Sequence, residues 1–269
     1  MLKRSITGLI LGALMISGLL YSIWTATLLL IIILLFSCWE WLQHFTRREG
    51  SWASKNFIFI SLFFLFFILL KLFNKESNEP GTDIQKLNGI LIFILAIFGS
   101  ALIMKKEWPF TQSWYSGIFY ICFPILVGFI FLNENFDQHK WIILGLIIIN
   151  WSNDVFAYFT GRLFGKHFLA PDISPKKTIE GALGGLIAAI IAAYLINSFL
   201  FITEFPLYTI LILGISVWLA GTLGDLYESK MKRIVGIKDS GSLIPGHGGF
   251  LDRFDSFFFI IPVGIFVLS

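Results

Sequence analysis

The sequence predicts an all-α fold, a polytopic transmembrane helical bundle. Of the 269 residues, 57% are hydrophobic and only 14% are charged, and 30 are phenylalanine. The apolar residues occur in long blocks, and a water-soluble protein of this size would expose large apolar patches. Lipid contact removes that cost, because about 20 consecutive apolar residues cross a bilayer as one helix.

About nine blocks are long enough to be spans, and they follow one another as residues 6–21, 23–44, 56–73, 87–104, 117–132, 141–164, 179–201, 207–227 and 250–268. Almost nothing separates the first two, which predicts a tight helical hairpin or a re-entrant pair. The chain divides into residues 1–140, a set of hydrophobic helices, and residues 141–269, which carry most of the informative polar side chains. We expect the second part to be catalytic within one integral membrane unit.

The distribution of basic residues predicts the topology. With nine spans, sixteen of the 20 Lys and Arg residues fall on the side of the N-terminus and four on the opposite side. Basic residues concentrate on the cytoplasmic side of membrane proteins. The N-terminus is therefore predicted to be cytoplasmic and the C-terminus to lie outside.

The two cysteines, Cys38 and Cys122, lie far apart in the sequence inside apolar blocks. No Cys or His neighbour stands at the spacing of a metal site. We interpret them as small core or lipid-facing residues rather than as a disulfide or a zinc site.

The sixth span carries a stripe of polar and small residues at helical spacing: Asn150, Asn153, Asp154, Ala157, Tyr158 and Gly161. An ionised Asp154 facing lipid would cost at least a few kcal/mol, so the stripe should face protein or a solvated cavity. The seventh span has a face of Gly and Ala residues from Gly181 to Ala193. Such a face allows a neighbouring helix to approach closely, and we assign it to packing.

Carboxylates stand at the facing ends of the last two spans. Asp225 lies near the end of the eighth, with Thr222 and Ser229 on its face, and Asp252 and Asp255 lie at the start of the ninth. Both ends border one cytoplasmic loop, so these carboxylates should converge. Mg²⁺ prefers such oxygen ligands and retains water molecules that substrate phosphates can replace.

The loop between these spans contains residues suited to bind anions. They are the basic residues Lys230, Lys232, Arg233, Lys238 and Arg253, several glycines that include Gly248, and His247. Basic side chains bind phosphate oxygens, and glycine backbone can approach a ligand closely. Taken singly, a basic residue here is more often a topology determinant, and Asp252 alone could be a favourable charge at a helix start. Asp225 near a helix C-terminus meets an unfavourable dipole and needs a cationic partner.

The loop residues also carry a resemblance. The run from Ser229 to Asp255, SKMKRIVGIKDSGSLIPGHGGFLDRFD, closely resembles the signature of the phosphatidate cytidylyltransferases, also called CDP-diacylglycerol synthases. A second block, from Asp154 to Gly181, is similar to that family too, with the pattern D-x-x-A-Y-x-x-G-R-x-x-G-K followed by S-P-K-K-T-x-E-G. The resemblance is close over the C-terminal half and covers the N-terminal half only as hydrophobic spans.

The resemblance implies Mg²⁺-dependent transfer of a cytidylyl group from CTP to phosphatidic acid, giving CDP-diacylglycerol and pyrophosphate, and it leaves room for a second metal ion. It implies catalytic roles for Asp225, Lys238, Asp252 and Arg253, and metal ligands at Asp225, Asp252 and Asp255. The expected substrate-binding residues are Asp154, Lys176, Lys177, Lys232, Arg233, Asp239, His247 and Gly248. His247 is expected to bind or orient, since an ionised phosphate nucleophile needs no strong base.

The expected partners are CTP, phosphatidic acid and membrane lipid, with no nucleic acid. The site should face the cytoplasm from the cell membrane. The small-residue faces leave open whether helices pack within one chain or in a homodimer.

Three alternatives remain open at this point. A membrane transporter also contains intramembrane acids, but it predicts carboxylates near the midplane and repeated halves. A CTP-dependent lipid kinase, or a CDP-archaeol-type synthase acting on an isoprenoid ether lipid, would share the nucleotide site. Product analysis separates these activities.

Overall fold

A computed structural model of the protein describes residues 2–46, 58, 61, 62, 114–201, 205–244 and 248–268. The third and fourth predicted spans, residues 56–73 and 87–104, fall almost entirely outside these described residues.

Helices dominate the described part of the chain, as predicted, and their bounds are α1 (Leu2–Tyr21), α2 (Ile23–Trp41), α3 (Trp114–Gly117), α4 (Phe123–Glu134), α5 (Phe136–Phe164), α6 (Ile179–Phe199), α7 (Leu207–Ile234), α8 (Leu251–Phe254) and α9 (Phe257–Leu268). Two π-helical segments, Leu42–Thr46 and Ile118–Cys122, continue α2 and precede α4.

Four helical stretches in the described residues are long and apolar enough to cross a membrane, namely Ile23–Phe45, Phe136–Phe164, Ile179–Phe199 and Leu207–Val235. Shorter apolar helices cover Thr7–Tyr21 and Ile118–Glu134. The chain is therefore a helical membrane protein. The total of nine spans and the cytoplasmic N-terminus stay predictions.

A single residue, Ser22, separates α1 from α2. Its hydroxyl accepts from the Thr25 N–H at 3.2 Å, while its own N–H donates to Thr25 Oγ1 at 3.0 Å. This reciprocal cap begins α2 immediately after α1 ends. Beyond the turn, Gly18 packs on Leu29. The predicted tight hairpin is confirmed.

A short β-hairpin joins α5 to α6, between the sixth and seventh predicted spans. Strand β1 (Phe168–Ala170) pairs antiparallel with β2 (Ser174–Thr178). Thr178 ends β2 and caps α6 by accepting from the Gly181 N–H at 3.1 Å. Glu180 accepts from the N–H groups of Lys166 and His167 at 3.0 and 3.2 Å. These bonds attach the hairpin, and with it Lys176 and Lys177, to the start of α6.

Helices α5 and α6 pack very closely. A Cβ at Gly181 would lie 2.8 Å from the Ala157 carbonyl oxygen, and one at Gly185 would lie 2.3 Å from Asn153 Oδ1. The packing role predicted for the small-residue face of α6 is therefore confirmed. Helix α7 joins the pair through Trp218, whose indole N–H donates to the Ala182 carbonyl at 2.8 Å.

Apolar residues divide between a core and an outer surface. Fully buried aromatic side chains form the centre of the core: Trp41, Tyr120, Phe129, Tyr227, Phe254, Phe258 and Phe259. On α6, by contrast, Leu183, Ile187, Ile191 and Leu195 repeat every four residues and are about half exposed. Such a stripe is suited to contact with lipid.

The two cysteines are neighbours, although 84 residues separate them in the sequence. Cys38 of α2 and Cys122 of the second π-helical segment are buried free thiols with their sulfur atoms 3.9 Å apart. The sequence separation alone did not indicate this contact.

Candidate active site

Asp154 lies on α5, and two buried asparagines of the same helix orient it. The side-chain amides of Asn150 and Asn153 donate to its two carboxylate oxygens at 3.3 and 3.2 Å. Asn150 and Asn153 are buried while Asp154 lines a cavity. The prediction that this stripe faces protein or a solvated space is confirmed.

Asp225 lies on α7 and forms an ion pair with Lys177 of β2, with Nζ 2.6 Å from Oδ2. Its second oxygen accepts from the Ser229 hydroxyl at 3.2 Å. The eighth predicted span ends at residue 227, but α7 continues to Ile234. Asp225 is thus more than two turns from the helix end, so the dipole argument does not apply. Its cationic partner is nevertheless present, supplied by the β-hairpin.

Lys232 connects two acidic residues at the end of α7. Its Nζ lies 2.6 Å from Asp252 Oδ1 and also contacts Glu228, one turn earlier on the same helix. Glu228 is completely buried and Lys232 nearly so. A lysine held between two carboxylates orients them before any substrate binds, and a buried acid without such a partner would be strongly destabilising.

The loop after α7 wraps around Asp252. Its Oδ2 accepts from the backbone N–H groups of Ser240 and Gly249, each at 2.9 Å. Gly248 stands beside it with φ +88°, and a Cβ there would lie 3.1 Å from the same oxygen. A left-handed backbone at this close contact explains why the position requires glycine.

Glu40 of α2 also binds this loop, which the sequence analysis missed. Only 1% exposed, it accepts from the Ser240 hydroxyl and from the N–H groups of Phe250 and Leu251, all at 2.8 Å. The signal was available, since Glu40 is an acid inside an otherwise apolar predicted span. Glu228 was missed as well.

The turn that carries Asp255 packs against α7. The backbone of Asp255 comes within 2.8 Å of where a Cβ of Gly224 would lie, and the Ser256 hydroxyl donates to the Gly221 carbonyl at 3.1 Å. Tyr120 donates its hydroxyl to the Asp255 carbonyl at 3.2 Å. These contacts fix Asp255 beside Asp225.

A cavity of about 840 Å³ collects most of the predicted residues. Its polar lining consists of Asn150, Asp154, Asp225, Lys232, Asp239, Asp252, Arg253, Asp255 and Ser256. Its apolar lining includes Leu9, Met15 and Ile16 of α1 and Trp151 of α5. The convergence expected for the carboxylates of the eighth and ninth spans is therefore found.

A second cavity, of about 360 Å³, adjoins the first. It contains the predicted Lys176 and Lys177 together with Tyr158, Arg162 and Thr178. Asp154 and Asp225 line both cavities and form their common wall. The first cavity is lined mainly by acidic and apolar side chains, and the second contains the basic side chains of Arg162, Lys176 and Lys177.

Arg233 and Lys238 line neither of these two cavities. Arg233 donates to the carbonyls of Ile173 and Ile237 at 3.4 and 3.1 Å, so it links the β-hairpin to the end of α7. Lys238 is exposed. His247 lies outside the described residues.

The acids of the first cavity interact electrostatically. Asp225 repels both Asp154 and Asp255, and Lys177 attracts both of them. Among the described residues, no three His, Cys, Asp or Glu side chains form a ready-made metal-binding group. The carboxylates nevertheless concentrate negative charge in one place, which attracts cations.

The chain matches the cytidylyltransferase family over residues 2–269. It is 36% identical over 198 residues to the phosphatidate cytidylyltransferase of Staphylococcus saprophyticus, covering 73% of this chain and 74% of that protein. It is 35% identical over 214 residues to the protein of the same name from Bacillus subtilis, with 78% and 77% covered. The corresponding protein of Staphylococcus aureus is 36% identical over 192 residues, with 70% and 71% covered.

Proposed function

Because this chain belongs to the cytidylyltransferase family and is a nucleotidyltransferase, we propose that it transfers the cytidylyl group of CTP to phosphatidic acid. The products are CDP-diacylglycerol, an intermediate of phospholipid synthesis, and pyrophosphate. The relatives' names support the substrates. The observation that carries the proposal is one cavity in which acidic and basic side chains meet an apolar wall.

The apolar wall of that cavity suits the acyl chains of a lipid, and a cation bound at its aspartates would offset their charge beside the lipid phosphate. An anionic headgroup can contact Arg253, while acyl chains extend along the apolar residues of α1. The smaller basic cavity, with Arg162, Lys176 and Lys177, suits the nucleotide triphosphate. Asp154 and Asp225 then stand between the two substrates. This division of cavities is part of the proposal.

The reaction is an in-line displacement. An oxygen of the lipid phosphate forms a bond to the α-phosphorus of CTP, and the bond from that phosphorus to the leaving pyrophosphate oxygen breaks. The nucleophile is already ionised near neutral pH, so the residues act by positioning and charge neutralisation. We assign this role to Lys177 and Arg253, because each of them lines one of the two cavities. The roles expected for Arg233, Lys238, Asp239, His247 and Gly248 stay predictions.

Carboxylate oxygens of Asp225 and Asp255 fit Mg²⁺, which is commonly bound by one or two carboxylates together with substrate phosphates. Bound there, Mg²⁺ would neutralise the charge that develops on the phosphates. Asp225 and Asp252 both have partners already, since Asp225 pairs with Lys177 and accepts from Ser229, and Asp252 accepts two N–H bonds and pairs with Lys232. We propose Asp225, Asp252 and Asp255 as the ligands, and a metal ion bound there would displace a lysine from its carboxylate. The second metal ion that the family resemblance allows stays a prediction.

The decisive experiment uses purified protein in detergent with α-labelled CTP, phosphatidic acid and Mg²⁺. We expect label in the lipid, loss of labelling with chelator, and recovery when Mg²⁺ is added in excess. Asp225→Asn and Asp252→Asn should abolish labelling while the proteins stay folded. Asp137→Asn is the matched control, since Asp137 is an exposed acid paired with Lys140 at the start of α5.

The same assay separates the alternatives. Lipid labelled from γ-labelled CTP would indicate a lipid kinase, and transfer only to an isoprenoid ether lipid would indicate the archaeol-type synthase. Full activity of either aspartate variant would contradict its proposed role. Family membership argues against a transporter.

We also propose that the protein resides in the cytoplasmic membrane with its site facing the cytoplasm, where CTP is available. The excess of basic residues around the last helices supports this orientation. The homodimer stays a prediction.

A further inference from the structure

We propose that Glu40 is a positioning residue of the site, which acts by fixing the loop that holds Asp252. The inference rests on the proposed function, because one of its tests measures cytidylyl transfer. Glu40 belongs to α2, in the half of the chain for which the sequence indicated only hydrophobic spans. It lines neither cavity, so any effect on the reaction must pass through other residues.

Hydrogen bonds from the loop after α7 hold the Glu40 carboxylate in one orientation. Its carboxylate accepts three hydrogen bonds of 2.8 Å, from the Ser240 hydroxyl and from the N–H groups of Phe250 and Leu251. Burying a carboxylate is strongly unfavourable unless it is paired or hydrogen-bonded. All the partners of Glu40 given by these bonds belong to the segment around Asp252. Residues about 200 positions apart in the chain are thereby attached to each other.

Two short connections link Glu40 to Asp252. Ser240 donates its hydroxyl to Glu40 and its N–H to Asp252 Oδ2. Gly249 donates its N–H to the same Asp252 oxygen, and the next residue, Phe250, donates to Glu40. Both backbone donors that orient Asp252 are thus held by the one carboxylate of α2.

The loop is shaped to receive this carboxylate. A Cβ at Gly241 would lie 2.4 Å from Glu40 Oε1, and one at Gly249 would lie 2.7 Å from Oε2. A side chain at Gly241 would displace the Glu40 carboxylate from its hydrogen bonds, and a Cβ at Gly249 would also lie 2.6 Å from the Gly241 backbone nitrogen, so glycine at both positions suits this contact. The glycines of the loop are therefore part of the binding site for the Glu40 carboxylate.

The test is the variant Glu40→Gln, which keeps the size of the side chain. Its amide nitrogen cannot accept, so at least one N–H of the loop loses its acceptor. We expect kcat per folded molecule to fall about 10- to 100-fold, as for other groups that orient a site residue. KM for CTP and for phosphatidic acid should change less than about threefold, because Glu40 contacts neither substrate. Asp137→Asn is the control.

Ser240→Ala provides a second variant, which removes one bond to Glu40 together with the hydroxyl that accepts from the Asp252 N–H at 3.3 Å, and it remains informative if Glu40→Gln does not fold. Its kcat should also fall with KM retained. The double variant should lose less activity than the product of the two single losses, because both changes loosen the same loop around Asp252. Additive losses, or a kcat within twofold of wild type in either single variant, would overturn the proposal.

Amide hydrogen exchange of residues 238–256, measured without substrates, separates this inference from the proposed function. Glu40→Gln should accelerate exchange there about tenfold, and Asp137→Asn should not. An inactive wild type with this acceleration would refute the cytidylyl-transfer proposal and leave the loop contact supported. Unchanged exchange in an active Glu40→Gln enzyme would refute the positioning role.

Discussion

At the scale of single residues, Lys177 has a role that follows from its ion pair with Asp225. It lies on β2 and pairs with Asp225 of α7 at 2.6 Å, at the wall shared by the two cavities. Removing it leaves Asp225 facing Asp154 and Asp255 without this cation.

Lys177→Met should therefore reduce kcat/KM about 10- to 100-fold, because a hydrogen bond to a charged group is worth about 1.5–3 kcal/mol. Steady-state kinetics with labelled CTP measures the change. Lys140→Met is the control, since Lys140 pairs at 3.1 Å with an exposed Asp137 and exposed pairs contribute little. Equal losses in the two variants would show that charge in general, not this contact, matters.

Much of the site could be predicted from residue types and local spacing. Asp154, Asp225, Asp252 and Asp255 were each visible as acids at a helix face or end, and they do line one cavity. Glu40 and Glu228 were missed. The partners of Glu40 lie on a loop that folds back onto α2 from about 200 residues away, and periodicity within one helix contains no information about such a contact. Glu228 and Lys232, by contrast, stand four residues apart on α7, so helical spacing could have indicated their pairing.

At the scale of elements, close packing of α6 and α7 holds the shared wall in place. A Cβ at Gly214 of α7 would lie 2.8 Å from the Cα of Ile190 on α6. Backbone atoms cannot move aside as a flexible side chain can, so these two helices can approach this closely only with glycine at that position.

Gly214→Ala should destabilise the protein by about 1–3 kcal/mol, as overpacking in cores does. A thermal unfolding scan in detergent should show a midpoint lower by several degrees. Gly18→Ala is the matched control, because its Cβ would meet Leu29 at an ordinary 3.7 Å and alanine favours a helix. A Gly214→Ala midpoint equal to that of the control would contradict the packing argument.

Element boundaries were the least predictable part of the fold. Helix α7 extends to Ile234, past the predicted end, because polar residues after residue 227 still pack on the site through Glu228 and Lys232. The β-hairpin escaped prediction since its strands have three and five residues and a Pro–Lys–Lys run without alternation. Such a hairpin is stabilised by its neighbours more than by its own pattern.

At the scale of the whole molecule, the site occupies one end of the bundle. Helix α5 has 29 residues, so about 43 Å separate its start at Phe136 from its end beside the β-hairpin. Asp137 and the loop after α7 should therefore lie on opposite sides of the membrane.

This orientation can be tested with single cysteines in a Cys38→Ala, Cys122→Ala background. In intact cells, a membrane-impermeant maleimide should label Asp137→Cys but not Ser242→Cys, and permeabilised cells should show both labelled. Both positions are exposed, so access depends only on the side of the membrane. Labelling of Ser242→Cys from outside would reverse the predicted topology.

The bond between Glu40 and the loop after α7 has a consequence for how this gene can be rearranged. Glu40 contacts Ser240, Phe250 and Leu251 directly, although they lie at opposite ends of the coding sequence. From the proposed role of Glu40, we expect a chimera that joins the early helices of one homologue to the late helices of another to be active only when the two parents supply matching members of this contact.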